Sequence, residues 1–384
     1  MRFEFATAGR IVFGQGSVGE VVDAAPSLGS CCLMVTGKSP HRWNSLIDRL
    51  KNRGVTTHVF KVPGEPSTET VLAGVSAARE HRCDCVIAVG GGSVIDTGKA
   101  VAALMTNPGD LTDYLEVIGR AMPLTRHPAP YIAVPTTAGT GSEVTRNAVI
   151  ISREHRVKVS LRSPLLLPRL VVVDPGLTHT LPPDITASTG LDALTQLLES
   201  YVSSGANPLT DGICREGLTR ASRSLKAVYL DGKDVAARED MALASLFSGI
   251  ALANAKLGAV HGFAAAAGGQ CNAPHGLVCA CLLPHVEGMN LKALRRRAPD
   301  SPVLKRFEDV ARILTGNPAA RAEDGIAWLN ELCVHMNVPH LTQIGIEEGH
   351  YTEIVSGAKR ASSMKGNPIV LTDEELTEIL HRAQ

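Results

Sequence analysis

Two short stretches of the chain carry side chains whose types and spacing suit metal chemistry. In "TGLDALTQLLES", Asp192, Gln196 and Glu199 would share one face of a helix, because they stand at positions i, i+4 and i+7. Further along, "GAVHGF" and "NAPHGL" contain His261 and His275, each followed by glycine. Carboxylate oxygens and imidazole nitrogens are ligands for Zn²⁺ or Fe²⁺, and three such ligands leave a position open for a substrate oxygen.

The same residues also have ordinary structural interpretations. A polar face on a helix is often simply solvated, and a single histidine in an apolar stretch is more often a core residue than a ligand. Two histidines in the same helical half of the chain as Asp192 favour a metal site, but spacing alone does not decide between these interpretations.

A glycine turn supplies a second candidate site. "VIAVGGGSVIDTGKA" reads as a strand, a turn and a helix, with Ser93 predicted as the helix cap and Asp96 predicted in its first turn. Gly91 and Gly92 leave backbone N–H groups uncovered, and a helix N-terminus with exposed amides binds phosphate or pyrophosphate. The pattern is neither G-x-G-x-x-G nor a Walker loop, so a tight turn that binds nothing remains the alternative.

A hydroxyl-rich loop, "PTTAGTGSEVT" from Pro135 to Thr145, strengthens the binding interpretation. It contains two glycines and five hydroxyl side chains in eleven residues, which offer donors and acceptors to a ribose phosphate or a nicotinamide amide. An ordinary polar loop is the alternative. Both loops follow predicted strands, however, and ligands of open α/β sheets bind at the carboxyl ends of the strands.

The elements that must position these residues change character along the chain. In the first half, buried strand-like runs such as "CCLMVTG", "THVFKV", "PYIAVPTT" and "RLVVVDP" alternate with helical patterns such as "TETVLAGVSAAREHR", which we expect to be capped by Thr68 or Thr70. This alternation predicts an α/β domain with a parallel, Rossmann-like sheet over residues 1–180. After "LPPDI" come long Ala/Leu-rich stretches, which predict an all-α domain over residues 181–384.

Bulk properties exclude several functional classes. Lys plus Arg equals Asp plus Glu at 38 each, so charge gives no reason to expect nucleic acid or a membrane surface as a partner. The nine cysteines show no disulfide-like spacing and indicate buried free thiols in a reducing compartment. With no signal-peptide pattern and no apolar run reaching ~18 residues, we expect a soluble cytoplasmic protein without a membrane span.

Four motifs in order resemble the iron-containing (group III) alcohol dehydrogenase family, of the dehydroquinate synthase-like superfamily. They are "GGGSVID", "PTTAGTGSE", "GLDALTQLLESY" and "GAVHGF" with "APHG", supported by "LLPHV" and "VVVDPGLTHTLP". The resemblance covers nearly the whole chain. It implies a nucleotide-binding α/β domain, a helical domain that carries the metal on its side of the cleft, reduction of aldehydes or oxidation of alcohols with NAD or NADP, and a homodimer or larger homo-oligomer.

Site residues follow from the resemblance by position. The pyrophosphate is expected at Gly91, Gly92 and Ser93, with Asp96 close by, and the nicotinamide is expected beside Thr136, Thr137 and Thr140. Lys158 corresponds to a family lysine that reaches the cofactor. The divalent metal, Fe²⁺ or Zn²⁺, is expected at Asp192, His261 and His275. We also expect Asn147 and Phe263 to form walls of the substrate pocket, although plain core packing is an equally good interpretation of Phe263.

Two positions depart from the family pattern. Gln196 stands where the family's fourth ligand, a histidine, belongs, and Ala265 stands where relatives often carry a histidine that helps to relay protons. A neutral carbonyl oxygen is a weaker donor than imidazole nitrogen, so we predict a weakly bound or exchangeable metal to which Gln196 contributes. The alternative is a metal-independent enzyme in which the Gln196 amide donates to the substrate oxygen.

The first strand bears on the choice of coenzyme. Family members that require NAD tend to place an acidic residue just after this strand, where it binds the ribose hydroxyls and repels a 2′-phosphate. Here the strand "CLMVTGKS" is followed by Gly37 and Lys38, with nothing acidic, and Lys38 could pair with a phosphate. We therefore predict that NADPH is accepted.

The motifs together predict an alcohol dehydrogenase or aldehyde reductase in which a metal polarises the oxygen of a small substrate. A lyase of the dehydroquinate synthase type is a second interpretation, against which the "PTTAGTGSE" loop and the "DAL" helix argue. A third is a cofactor-binding protein that has lost catalysis, because Gln196 and Ala265 both weaken the usual apparatus.

Overall fold

The computed structural model describes residues 2–155, 157–271 and 273–384 as two compact units. The α/β unit comprises Ala6–Thr137 and Gly141–His179. The helical unit comprises Thr180–Gln384 together with Ala138–Thr140 and the described residues 2–5 at the N-terminus. A parallel sheet with helices in the first half and helices alone in the second half confirm the predicted fold class.

Eight strands form two sheets in the α/β unit. The strands are β1 Ile11–Phe13, β2 Cys31–Thr36, β3 Thr56–Lys61, β4 Cys85–Gly90, β5 Tyr131–Pro135, β6 Asn147–Ser152, β7 Val157–Arg162 and β8 Leu170–Val173. Six of them form a wholly parallel sheet in the order β1-β8-β5-β4-β2-β3, and β6 and β7 pair as an antiparallel hairpin. The central strands β4, β5 and β8 are buried along their whole length, which explains their unbroken apolar sequences.

Fourteen α-helices are described. Those of the α/β unit are α1 Glu20–Ala24, α2 Asn44–Asn52, α3 Thr68–Glu80, α4 Gly92–Thr106 and α5 Leu111–Tyr114. Those of the helical unit are α6 Pro183–Val202, α7 Pro208–Leu230, α8 Val235–Ala255, α9 Ala259–Gln270, α10 His275–Arg297, α11 Val303–Thr315, α12 Ala322–His335, α13 Tyr351–Arg360 and α14 Asp373–Arg382. Helix α3 is capped by Ser67, whose hydroxyl accepts from the Thr70 N–H at 3.2 Å, so the predicted caps were one to three residues late.

The strand order creates one switch point in the parallel sheet. From β2 the chain proceeds to β3 on one side, whereas β4, β5 and β8 follow one another on the other side. Strands β2 and β4 are direct neighbours, with Thr36 opposite Val89 at their carboxyl ends. Connections that leave in opposite directions open a crevice at this edge, which is where open α/β sheets bind ligands.

Two apolar cores stabilise the helical unit. Leu191, Leu194 and Leu198 of α6 pack with α7, α8 and α11 in the first core. Val260 and Phe263 of α9 pack with α10, α13 and α14 in the second. Helices α6, α9 and α10 therefore present their polar side chains from two fully packed layers, which fixes the positions of those side chains.

Among the helices that the structure describes, α10 alone is, as an unbroken helix, long and apolar enough to cross a membrane. Of its most apolar window, 78% is buried inside the protein, as in the core helix of a soluble protein. The sequence pattern predicted no membrane span here, because Pro284, His285 and Glu287 interrupt the run of apolar residues. The burial of α10 accounts for its composition without a membrane.

Candidate functional site

Helix α6 buries the polar face that its sequence predicts. Asp192, Gln196 and Glu199 are 2%, 3% and 2% exposed, although each carries a charged or amide group. The helix begins with Pro183 at its first position and runs unbroken for 20 residues, which holds the three side chains one turn apart. A solvated face is thereby excluded, and the buried polar groups require partners.

The two histidines reach Asp192 from two further helices. His261, in the first turn of α9, places its Nε2 atom 3.3 Å from Asp192 Oδ1. His275, the first residue of α10, places its Nε2 atom 3.7 Å from the same oxygen. The structure thus brings together three of the four residues that were predicted as metal ligands; the fourth, Gln196, bonds to Asp192 and is not part of the cluster of donor atoms.

A fourth donor, which the sequence interpretation missed, lies in the same cluster. Cys279 follows His275 by one turn of α10, and its Sγ atom lies 3.8 Å from His275 Nε2 and 3.9 Å from His261 Nε2. The ligand atoms of Asp192, His261, His275 and Cys279 all lie within 4.8 Å of one another. The i, i+4 spacing of a histidine and a cysteine was the available signal, but the thiol was interpreted as an ordinary buried cysteine.

This cluster fits a divalent metal. Ligands about 2.0–2.3 Å from a tetrahedral ion stand roughly 3.3–3.8 Å from one another, close to four of the separations between these donor atoms, which are 3.3, 3.7, 3.8 and 3.9 Å. Asp192 Oδ1 is buried and, although His261 Nε2 lies 3.3 Å away, it has no well-oriented hydrogen-bond partner among the residues that the structure describes. A buried carboxylate oxygen without a hydrogen bond is costly unless a cation satisfies it.

Electrostatics within the cluster favour a charged Asp192. Burial raises the pKa of Asp192, but His261 and His275 outweigh this effect and lower it overall. Burial also raises the pKa of the Cys279 thiol, to about 12, so without a cation that thiol is protonated at neutral pH.

Glu199 and Gln196 contact the ligand side chains at atoms that face away from the cluster, and so fix their orientation. Glu199 Oε2 contacts His261 Nδ1 at 2.6 Å, and its Oε1 accepts from the Val260 N–H at 2.7 Å. This contact directs the other ring nitrogen, Nε2, into the cluster. The Gln196 amide N–H donates to Asp192 Oδ2 at 3.1 Å, and its oxygen accepts from the Ser248 hydroxyl at 2.7 Å.

Another buried carboxyl group, in addition to Asp192, lies near Glu199. Glu287 of α10 is fully buried, and its Oε1 has no hydrogen-bond partner in the described part of the chain. Burial, together with the negative charge of Glu199, raises the pKa of Glu287 to about 8. The group is therefore a neutral carboxylic acid at pH 7.

We predict that Glu287 makes the protein less stable as pH rises. Its pKa is raised in the folded state, so its contribution is fully present below pH 4.5, the ordinary value, and is lost as pH rises through about 8. Between pH 4.5 and about 8, the free energy of unfolding of the wild type should fall, relative to that of Glu287→Gln, by about 1.4 kcal/mol per pH unit. Urea unfolding at several pH values measures this slope. The exposed Glu331→Gln should retain the wild-type slope, and a wild-type slope in Glu287→Gln would contradict the prediction.

In the α/β unit, the glycine turn lies at the switch point of the sheet. Helix α4 begins at Gly92 with Gly91 as its N-cap, and the Val94 N–H already bonds back to the Gly91 carbonyl at 2.9 Å. Ser93 is therefore the second helical residue and not the cap, because the helix begins two residues earlier than predicted. The N–H groups of Gly92 and Ser93 precede the bonds within the helix and point out of its N-terminus.

Asp96 lies one turn into α4, beyond the first turn where it was predicted. Its carboxylate accepts from the Ser142 hydroxyl and from the Val149 N–H, the latter at 3.1 Å, and lies 3.8 Å from the Lys99 ammonium. Burial raises its pKa against the opposing effect of Lys99. These contacts tie Asp96 to the loop after β5 and to β6.

Four of the remaining predicted cofactor residues follow the ends of β2 and β5, the strands on either side of β4. Gly37 and the exposed Lys38 follow β2, and the half-buried Thr136 and Thr137 follow β5. Thr140 and Lys158 do not lie at these strand ends. The half-buried Thr140 belongs to the segment Ala138–Thr140 of the helical unit. Lys158 lies on β7, and its ammonium pairs with Glu65 at 2.7 Å.

The two predicted pocket residues lie in different units. Asn147 begins β6, and its carbonyl accepts from the Lys99 ammonium at 2.8 Å. Phe263 is fully buried in the second core of the helical unit, packed with residues of α9, α10 and α13. Core packing thus accounts for Phe263.

Comparison with known proteins agrees with this arrangement. The family model "Iron-containing alcohol dehydrogenase" matches residues 8–175, and the model "Fe-containing alcohol dehydrogenase family, C-terminal" matches residues 186–384. Alcohol dehydrogenase 4 of Saccharomyces cerevisiae (strain YJM789) is 35% identical over 336 residues, 87% of this chain and 85% of that protein.

Two further relatives match almost end to end. The NAD-dependent methanol dehydrogenase of Bacillus methanolicus is 30% identical and is covered, like this chain, over 97% of its length. The crystal structure of a 1,3-propanediol oxidoreductase matches with a TM-score of 0.92 and 32% identity over 100% of both chains. Both halves of the chain thus match the models of one family, and the chain belongs to the iron-containing alcohol dehydrogenases.

Proposed function

We propose that this chain interconverts a small primary alcohol and its aldehyde with NAD(P) as the hydride carrier. The observation that carries the proposal is the cluster of Asp192, His261, His275 and Cys279, in which a buried carboxylate oxygen without a hydrogen bond faces two imidazole nitrogens. A divalent metal bound there supplies a Lewis acid that polarises the carbonyl oxygen of the aldehyde. Relatives that act on methanol and 1,3-propanediol support a small substrate.

The chain's own residues orient this chemistry. Asp192 supplies negative charge, and Glu199 keeps the Nε2 atom of His261 directed into the cluster. His275 is the most exposed member, with 34% of its side chain accessible, so we place the approach of the substrate on its side. Position 265 of α9 holds an alanine, which has no titratable side chain. In this proposal, water therefore carries protons to and from the substrate oxygen.

The coenzyme, in this proposal, binds at the switch point of the parallel sheet. The N-terminal amides of α4 at Gly92 and Ser93 bind the pyrophosphate, favoured by the positive end of the helix. Thr136 and Thr137 lie at the end of the neighbouring strand, where their hydroxyls can bond to the coenzyme. Lys38, exposed after β2, binds a 2′-phosphate, so NADPH is accepted.

The test measures coenzyme oxidation spectrophotometrically with a panel of small aldehydes, using NADH and NADPH separately. We expect aldehyde-dependent oxidation of both coenzymes. At least a tenfold preference in kcat/KM for NADH would overturn the assignment of Lys38, and no oxidation with any aldehyde would overturn the function itself. We further propose a homodimer, which rests on the family resemblance alone and which size-exclusion chromatography with light scattering would test. A cytoplasmic location is also proposed, supported by the nine free cysteines.

We predict that Gly91→Ala weakens coenzyme binding. A Cβ atom at this position would lie 3.2 Å from Thr137 Cγ2 and 3.3 Å from its Oγ1, which is tighter than ordinary contact, so the turn and Thr137, both assigned to the coenzyme site, must move apart by a few tenths of an ångström. A misplaced methyl group costs about 1–3 kcal/mol, so KM for the coenzyme should rise roughly 10- to 200-fold. Steady-state kinetics measure it. Gly212→Ala, at an exposed helical glycine with open space around it, should change nothing, and an unaltered KM in Gly91→Ala would argue against the site.

A further inference from the structure

We propose that Cys279, and not Gln196, supplies the fourth protein ligand to a cation held by Asp192, His261 and His275. The resulting carboxylate, two-imidazole and thiolate site takes a thiophilic divalent ion, with Zn²⁺ preferred over Fe²⁺. This inference rests on the proposed function in one respect, since it concerns the metal of the same site.

Helix α10 brings the thiol into the cluster. Cys279 is fully buried, and it lies on the same face of α10 as His275 because the two are four residues apart. Its Sγ atom stands 3.8 and 3.9 Å from the Nε2 atoms of His275 and His261. These separations are close to the 3.3 and 3.7 Å between Asp192 Oδ1 and the two Nε2 atoms, and all four donor atoms lie within 4.8 Å of one another, as the ligands of one ion must.

Gln196 makes contacts that direct its oxygen elsewhere. The Asp192 carboxylate only accepts hydrogen bonds when ionised, so the neighbouring end of the Gln196 amide must be its nitrogen. The amide oxygen then faces the Ser248 hydroxyl at 2.7 Å, and both ends of the amide are satisfied. Gln196 is therefore a positioning residue, which holds Asp192 Oδ2 and leaves Oδ1 for the ion.

Charge balance and ligand softness favour this assignment. An ionised Asp192 and a Cys279 thiolate together neutralise a divalent ion in a buried site, whereas a neutral amide in place of the thiolate would leave one positive charge unbalanced among the four ligands. When the bond between Sγ and the ion forms, the S–H bond breaks and its proton leaves to solvent. Thiolate ligands favour Zn²⁺, which also binds N and O ligands more tightly than Fe²⁺ does.

The experiment is a cobalt titration of the chelator-treated, full-length protein. Co²⁺ replaces Zn²⁺ in such sites, and a thiolate ligand gives an intense charge-transfer absorption in the near ultraviolet, in addition to weak visible bands. We expect this absorption in the wild type and in Gln196→Ala, and its loss in Cys279→Ser. The matched control Cys281→Ser, two residues along the same helix, should retain it, because the Cys281 thiol donates to the Pro339 carbonyl and lies outside the cluster.

A second measurement needs no variant, in case Cys279→Ser does not fold. X-ray absorption at the zinc edge of the wild-type protein should show one sulfur at about 2.3 Å besides nitrogen and oxygen. After incubation with equal concentrations of Zn²⁺ and Fe²⁺ under anaerobic conditions, the protein should contain zinc. Visible cobalt bands without the ultraviolet absorption, a zinc shell without sulfur, or a protein loaded with iron would each overturn the inference.

The outcomes separate this inference from the proposed function. Oxidation of NAD(P)H with an aldehyde, combined with a metal that has no sulfur ligand, overturns the role of Cys279 and leaves the function standing. A sulfur-ligated metal in a protein that oxidises neither coenzyme with any aldehyde supports Cys279 and overturns the function.

Discussion

Asp192→Asn is expected to abolish metal binding and to lower kcat/KM for aldehyde reduction by about 10³-fold or more, equivalent to roughly 4 kcal/mol. The substitution keeps the shape of the side chain but removes the negative charge on which the cluster depends. It also allows an N–H group to occupy the position of Oδ1, which has no hydrogen-bond partner among the described residues. Two imidazole nitrogens and a thiol would then face an amide that repels a cation.

Elemental analysis and steady-state kinetics on the same preparations measure the two effects. Asp184→Asn is the matched control, because Asp184 is exposed in the first turn of the same helix and the chemical change is identical. The control should keep both metal and activity. If Asp192→Asn retained its metal content, the carboxylate would not be a ligand; if it lost metal but kept full activity, the enzyme would be metal-independent.

The part of the site that lies on one helix was accessible from the sequence. Residues four apart share a helical face wherever the helix is placed, so the common face of Asp192 and Gln196 followed from spacing alone. The approach of His261 and His275 to that face depends on how α9 and α10 pack against α6. Their spacing held no information on that packing, and only the resemblance to a known family supplied it.

Cys279 shows why the remaining donor was missed. Nothing in "HGLVCACLL" distinguishes a thiol that faces a metal from one that faces the core, because Cys279 and Cys281 are both buried on α10. The position of each thiol around the helix axis determines which one faces the metal site. Cys279 lies on the same face as His275, whereas the Cys281 thiol donates to the Pro339 carbonyl at 2.8 Å. Gln196, conversely, was interpreted as a ligand because of its position, and its hydrogen bonds to Asp192 and Ser248 were not predictable from one sequence.

The fold was predictable where sequence patterns are strong. Apolar runs that end in glycine gave β2 and β4, and the Ala/Leu-rich second half gave helices, because burial on both faces and helical periodicity leave clear patterns. The order of the strands was not predictable, since the central strands β4, β5 and β8 are equally apolar and their sequences do not say which of them are neighbours. The hairpin of β6 and β7 was missed because its mixed exposure resembles a loop.

The α/β unit contains a buried lysine whose loss should destabilise the fold. Lys99 is 1% exposed, and its ammonium donates to the Thr145 hydroxyl at 2.7 Å and to the carbonyls of Thr145 and Asn147 at 3.1 and 2.8 Å. Asp96 and Glu143 supply the opposing charge: the ammonium lies 3.8 Å from Asp96 Oδ1 and interacts electrostatically with Glu143. Burial nevertheless lowers the pKa of Lys99 to about 8, so the ion is held at a cost.

We therefore expect Lys99→Met to lower the free energy of unfolding by about 3–5 kcal/mol, because removal of one member of a buried charged group leaves the others uncompensated. Urea unfolding of the full-length protein, followed by circular dichroism, measures the loss as a lower midpoint. Lys51→Met, at an exposed lysine of α2, should leave the midpoint unchanged. A Lys99→Met protein as stable as the wild type would mean that Asp96 and Glu143 take up protons at little cost. Burial already raises the pKa of Glu143 to about 7, so that result would also appear as greater stability of the variant at acid pH.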